Sequence, residues 1–356
     1  MRNQSIDCVK ALAAILMVYA HLYVVNLDSN FHIGIIYSFH MPAFAFVSGM
    51  FFTTKRNVLD FLSHKSLQLL LPTYIFWCLF FPLLSDIYLG NDIHLFSYFR
   101  NLYYSIFHRQ VYWFVWALYL CFLYGYSVIK IFKNDYVLVL SMFFLWIISW
   151  LEIIPNRCHS LVGFIFLYPF FVSGYYFNRY KSSFPKYNRK RTIVLSFVIY
   201  LALIVLFWRG WPDTWYIMNT GIFATESNPE CGITGLLIIW KTLTRFFIGT
   251  SASVFIVLFC EWLFEKADKA SKFWGFGKSV LFHLSDIGKY TLPIYLLSGI
   301  LQSYIVPFVG GIKFARLFDT ILIVYVCYFV AVITCKNKWL GLFLWGKTFQ
   351  RKSLRR

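Results

Sequence analysis

Apolar positions along this chain fall in long, nearly unbroken runs, unlike the alternation of a half-buried strand or the single stripe of a soluble helix. An α-helix needs roughly 17–25 such residues to cross the hydrocarbon core of a bilayer at about 1.5 Å per residue. Ten runs of that kind are expected, at 11–27, 35–53, 67–89, 112–132, 135–153, 160–177, 192–208, 233–260, 287–306 and 316–335. The pattern predicts an all-α, polytopic membrane helix bundle. Two longer excursions, 86–111 and 209–232, mix aromatic with polar residues. They suit either an interfacial lid or saccharide platform, or an aromatic belt at headgroup level. With no internal repeat or low-complexity linker, residues 1–340 read as one transmembrane domain and 341–356 as a basic cytoplasmic tail.

Composition excludes a soluble domain: 60% of the 356 residues are hydrophobic, 22% are aromatic, and the mean hydropathy is +0.64. A net charge of +18 would ordinarily raise the question of nucleic acid, but its placement argues for membrane topology and no nucleic-acid partner. With the N-terminus cytoplasmic, 25 of the 33 Lys and Arg residues fall in inner segments, including the clusters at 179–191, 266–289 and 336–356. Both termini are therefore expected in the cytoplasm. The first apolar run lacks a small-residue cleavage site and is expected to be a retained helix. The eight cysteines form no CxxC pair and suggest no metal. Only Cys158 and Cys231, in outer loops, are placed where a disulfide would be permitted.

Ionisable groups inside membrane helices are costly and mark candidate functional positions. Lys10 and His21 are 11 residues apart, about three turns and a rise of about 16.5 Å on one helix face. A cation at the cytoplasmic mouth and an imidazole deep in the membrane suit a donor with an anionic head and a long arm ending in a thioester, the shape of coenzyme A. The imidazole then serves as general base towards an attacking hydroxyl. On this spacing alone, Lys10 as a positive-inside anchor and His21 as a hydrogen-bonded core histidine is the favoured reading. The next span, FHMPAFAFVSGMFF, brings His40, Pro42, Ser48 and Gly49 onto one helix, where the proline removes a backbone hydrogen bond and the small residues permit close helix approach. Lys241 and Arg245 share a face of the eighth span. They are placed either to meet an anionic acceptor or to snorkel towards water.

Lys10 to His21 followed by His40-Met41-Pro42 and Ser48-Gly49 resembles the acyltransferase-3 family of integral membrane O-acyltransferases. KSLQLLLPTYIF at 65–76, YWFVWAL at 112–118 and IGKYTLPIYLLSG at 287–299 are similar to further family segments. Gln68 stands where a second basic residue is common, Ser298 where a histidine is frequent, and Lys10 where the family usually has arginine. The last change keeps the charge but loses the guanidinium fork. The resemblance implies acyl-CoA, usually acetyl-CoA, as the donor. The acceptor is then a sugar hydroxyl on a cell-surface polysaccharide or its lipid-linked precursor, at a multi-pass protein of the bacterial cytoplasmic (inner) membrane. It casts His21 as base, with His40 orienting His21 or the acceptor or lining the cavity. Lys10 and Lys65 are placed on donor phosphates, and Trp113, Lys241 and Arg245 are candidates for the acceptor. A flippase for a lipid-linked glycan is the main rival, although no inverted repeat is visible. A glycan polymerase would call for larger and more basic outer loops.

Overall fold

The computed structural model describes residues 3–22, 31–107, 112–151, 159–183, 188–207, 236–269, 275–309 and 315–347. Among these residues every regular element is a helix. In chain order they are α1 (Gln4–His21), α2 (Phe31–Met50), α3 (Val58–Lys65), α4 (Phe81–Leu89), α5 (Leu95–Phe107), α6 (Trp113–Phe132), α7 (Val137–Trp150), α8 (His159–Tyr180) and α9 (Asn188–Phe207). They continue with α10 (Leu236–Lys269), α11 (Gly275–Ile287), α12 (Thr291–Val309), α13 (Ala315–Thr334) and α14 (Lys338–Trp345). Each expected span contains helix. Among the described residues six helical stretches are long and apolar enough to cross a membrane: His32–Met50, Val58–Leu89, Trp113–Phe132, Ser160–Tyr180, Thr242–Asp268 and Arg316–Thr334. The apolar helix Val137–Trp150 is shorter.

Local chemistry explains where the helices depart from the expected edges. Asn3 caps α1 by accepting from the backbone of Ser5 and Ile6 at 3.1 and 3.4 Å. The helix therefore starts at Gln4, well before the apolar run, and its 18 residues end at His21, about 27 Å along the axis. Between α3 and α4, Ser66–Phe80 winds with the wider i→i+5 bonding of a π-helix around Pro72, whose missing N–H already breaks the α ladder. The excursion expected at 86–111 contains α5, while that at 209–232 lies outside the described residues, as do Cys158 and Cys231. Helix α10 runs 34 residues, about 51 Å, and so exceeds a bilayer core of about 30 Å. Its extension places Glu261 and Glu265 in ion pairs with Lys181 and Arg189 of the basic 179–191 segment.

The centre of the bundle is the pair α2 and α8. A Cβ on Gly49 would sit 1.8 Å from the Phe171 carbonyl oxygen, and one on Gly174 would sit 1.9 Å from that of Phe46. The two backbones touch through reciprocal glycines, which is the close approach that small residues permit between membrane helices. At the far end of the chain α14 docks on the π-helical segment: the indole N–H of Trp77 donates to the Leu344 carbonyl at 3.3 Å. Helix α14 ends at Gly346, whose φ of 63° and 2.0 Å Cβ distance from the Gln68 carbonyl oxygen both require glycine.

Candidate active site

A cavity of about 160 Å³ lies between α1, α2, the start of the π-helical segment, α6 and α12. Lys10, Ser48 and Gln68 line it together with Met17, Met41, Phe44, Phe114, Leu118 and Tyr295. Lys10 and Met17 are seven residues apart and share a face of α1. The cavity thus runs along the line from Lys10 towards His21 that the sequence pattern predicts. The segment after Tyr112 supplies the Phe114, Val115 and Leu118 wall. Tyr112 is fixed by its hydroxyl donating to the Leu296 carbonyl at 3.0 Å and by its own carbonyl accepting from Tyr74 at 3.3 Å. Thr291, Leu292 and Tyr295 close the opposite side.

His21 is in the last turn of α1 and its side chain is accessible there. Its Nδ1 lies 2.8 Å from the carbonyl oxygen of Met17, a cavity residue. Because a carbonyl oxygen only accepts, Nδ1 carries the proton and the neutral ring presents a bare Nε2 lone pair. His40 is tethered in the same way, Nδ1 to the Ile36 carbonyl at 2.8 Å, but is only 1% exposed. Its Nε2 is buried without a hydrogen-bond partner among the described residues. Tyr37 stands between the two rings, with centroids 6.1 Å from His21 and 5.1 Å, edge-on, from His40. The histidines are near enough for a charge on His21 to act on His40. Met41, next to His40 in sequence, lines the cavity.

At the other end of the cavity the cations gather. Lys10 pairs with the buried Asp7 carboxylate at 3.4 Å and lies 5.8 Å from the Phe51 ring. Lys65 sits 3.5 Å over the Phe122 ring and donates to Gln68 at 3.4 Å, so it reaches the cavity through Gln68 and is not part of its wall. Lys65 also feels the charges of Arg56 and Lys10, and His64 those of Arg56 and Lys65. Two of these participants, Asp7 and Arg56, were missed in the sequence. Asp7 was legible as the i−3 partner of Lys10. Tyr295 lies in the family-like segment 287–299, which did not single it out.

The remaining sequence candidates lie elsewhere. Trp113 is half-buried against the core, edge-on to Phe114 at 5.9 Å, and does not line the cavity. Arg245 is buried beside a separate small cavity, which removes the snorkelling alternative for this residue. The side chain of Lys241, one turn away, lies outside the described set. Ser298, where the resemblance led one to look for histidine, is buried and donates to the Tyr295 carbonyl at 3.4 Å.

A bundle of apolar helices long enough to span a membrane, around a cavity lined by Lys10 and by Met17, which tethers His21, and Met41, which adjoins His40, is the architecture of a multi-pass membrane protein. The chain belongs to the acyltransferase-3 family: the family profile, described as an acyltransferase domain, matches residues 3–335. Comparison with curated proteins and with solved structures returned no match.

Proposed function

We propose that this membrane acyltransferase moves an acetyl or other short acyl group from acyl-CoA to a sugar hydroxyl of a cell-surface polysaccharide or its lipid-linked precursor, at the bacterial cytoplasmic membrane. The observation that carries the reading is the course of the cavity: it starts at Lys10 and reaches Met17, the residue that tethers His21. The basic end suits the phosphates of the donor, with Lys10 at the wall and Lys65 acting beside Gln68. A volume of about 160 Å³, close to that of a cavity that takes benzene, suits a short acyl thioester and not a long fatty chain.

In the proposed reaction the acceptor hydroxyl oxygen attacks the thioester carbonyl carbon while its proton passes to Nε2 of His21. The tetrahedral intermediate collapses with cleavage of the C–S bond. The imidazolium returns the proton to the departing sulfur, leaving an ester and free coenzyme A thiol. Tyr37 and His40 would orient the ring or the acceptor beside it. The test is incubation of purified protein with radiolabelled acetyl-CoA and an oligosaccharide acceptor. Formation of a labelled, alkali-labile ester is the expected result, and translocation of a lipid-linked glycan without label transfer would overturn it in favour of a flippase.

A further inference from the structure

Arg245 is 7% exposed, on a membrane helix, and its guanidinium has neither an ion pair nor a hydrogen bond among the described residues. Helices α7, α8, α9 and α2 carry no carboxylate at all, and the next acid on α10 is Glu261, about 24 Å further along the axis. An unpaired buried charge is destabilising and persists where it has a task. The surroundings say what the task needs. Arg245 lines a cavity of about 20 Å³ with Thr242, Trp146, Pro169, Phe170 and Phe246. That volume holds one water-sized atom, such as a single anionic oxygen. Trp150 donates its indole N–H to Thr242 at 3.3 Å, bridging α7 and α10 over the site. The side chains flanking it outward, Phe143, Ile147 and Phe247, are apolar and exposed on the face that lipid would cover.

The site also lies at the depth of the histidines. Gly249 packs on Pro42, where a Cβ would come within 2.9 Å of the proline ring. Helices α2 and α10 run in the same direction, because Ile35 and Phe39 cluster with Ile248 and Ala252, while Val47 and Met50 cluster with Val257 and Cys260. From that contact His40 is two residues, about 3 Å, towards the His21 end, and Arg245 is four residues, about 6 Å, in the same direction.

We propose that Arg245 binds a phosphate oxygen of a lipid-anchored acceptor, which enters between α7 and α10 and is thereby held at the depth of the histidines. This rests on the acyl-transfer reading for the word acceptor, but the anion site itself does not. A guanidinium grips phosphate through parallel charge-assisted hydrogen bonds, and the apolar walls favour a phosphate carried on a hydrocarbon chain over a water-soluble one.

Binding of farnesyl diphosphate, farnesol and dioleoyl phosphatidylglycerol to the full chain in detergent, followed by native mass spectrometry without any acyl donor, tests the site independently of transfer. Wild type is expected to bind farnesyl diphosphate at least about tenfold more tightly than either other probe, with Arg245→Gln losing that preference and Arg245→Lys keeping part of it. Equal binding of farnesyl diphosphate to wild type and Arg245→Gln would overturn the anion site. Equal binding of phosphatidylglycerol and farnesyl diphosphate, both lost in Arg245→Gln, would overturn the acceptor assignment in favour of a structural phospholipid. Arg245→Met guards against misfolding: it is expected to melt at or above the wild-type temperature while failing to bind the diphosphate, and a lower melting temperature would show that the charge is structural. Failure of the labelled-acetyl assay with this binding pattern intact would count against acyl transfer and leave the anion site standing.

Discussion

The Nδ1 of His21 is tied to the carbonyl oxygen of Met17 at 2.8 Å, so the tautomer of the ring is set by the same turn that lines the cavity. His21→Ala is expected to lower acyl transfer by roughly 100- to 10,000-fold, the ordinary worth of a general base. His21→Asn separates base from tether, because its amide nitrogen can replace Nδ1 but nothing replaces Nε2. Label transfer assays on both variants should show equal loss, and recovery of activity in the Asn variant would make the tether the essential part.

Lys10 touches the cavity far from the histidine end, so Lys10→Ala should raise KM for acyl-CoA more than it lowers kcat, as a contact present equally in ground and transition states does. Lys10→Arg should retain or improve donor affinity through the guanidinium fork. Donor titrations on equal amounts of folded protein check both. An unchanged KM with a reduced yield of inserted protein would leave Lys10 as a helix anchor.

Gly346→Ala forces a side chain both into a left-handed backbone position and against the Gln68 carbonyl. The backbone strain alone costs about 1–3 kcal/mol. The variant should melt at a lower temperature and show weaker donor binding, since Gln68 lines the cavity. Thermal melts together with donor titration test this, and a wild-type KM would detach α14 from the donor site.

Asp286 offers a pH readout just before the cavity wall of α12. Burial pushes its carboxyl up, but hydrogen bonds from Lys289 and Tyr328 outweigh it and hold the group below the usual carboxylate range. A depressed carboxyl contributes stability above its unfolded value and loses it as pH falls through the folded one. Asp286→Asn should therefore lower the melting temperature near neutrality, and the gap from wild type should close only below about pH 4. A gap independent of pH would assign the loss to packing.

The helical class, the course of Lys10 towards His21 and the role of small residues in α2 were legible in the sequence because each depends on composition or on spacing within one helix. Gly49 behaves as its motif suggested, against Phe171. What the pattern could not give was pairing between helices or caps outside the apolar runs. Asn3 moved the start of α1 to Gln4, ahead of the apolar run. Amphipathic α5 hid in an apparent loop because its aromatics follow a helical period short of a membrane span. Arg245 was visible as a charge, but whether it reached water depended on α7 and α8, which no spacing on α10 encodes.

The sidedness expected from the basic segments is open to direct measurement. A reporter after Arg356 should read as cytoplasmic, and cysteines introduced within 209–230 should be labelled from outside. The reverse pattern would put Lys10 on the wrong face for a cytoplasmic donor.

The twin tethers of His21 and His40 also constrain how protons travel. A ring whose Nδ1–H is committed to its own helix carbonyl takes up and releases protons at Nε2 for as long as that hydrogen bond holds. In the proposed reaction the proton taken from the acceptor would leave by the nitrogen it entered, towards the departing sulfur. Hydrogen balance in that scheme would close within a single turnover at a single atom, without calling on a proton conduit to either aqueous face.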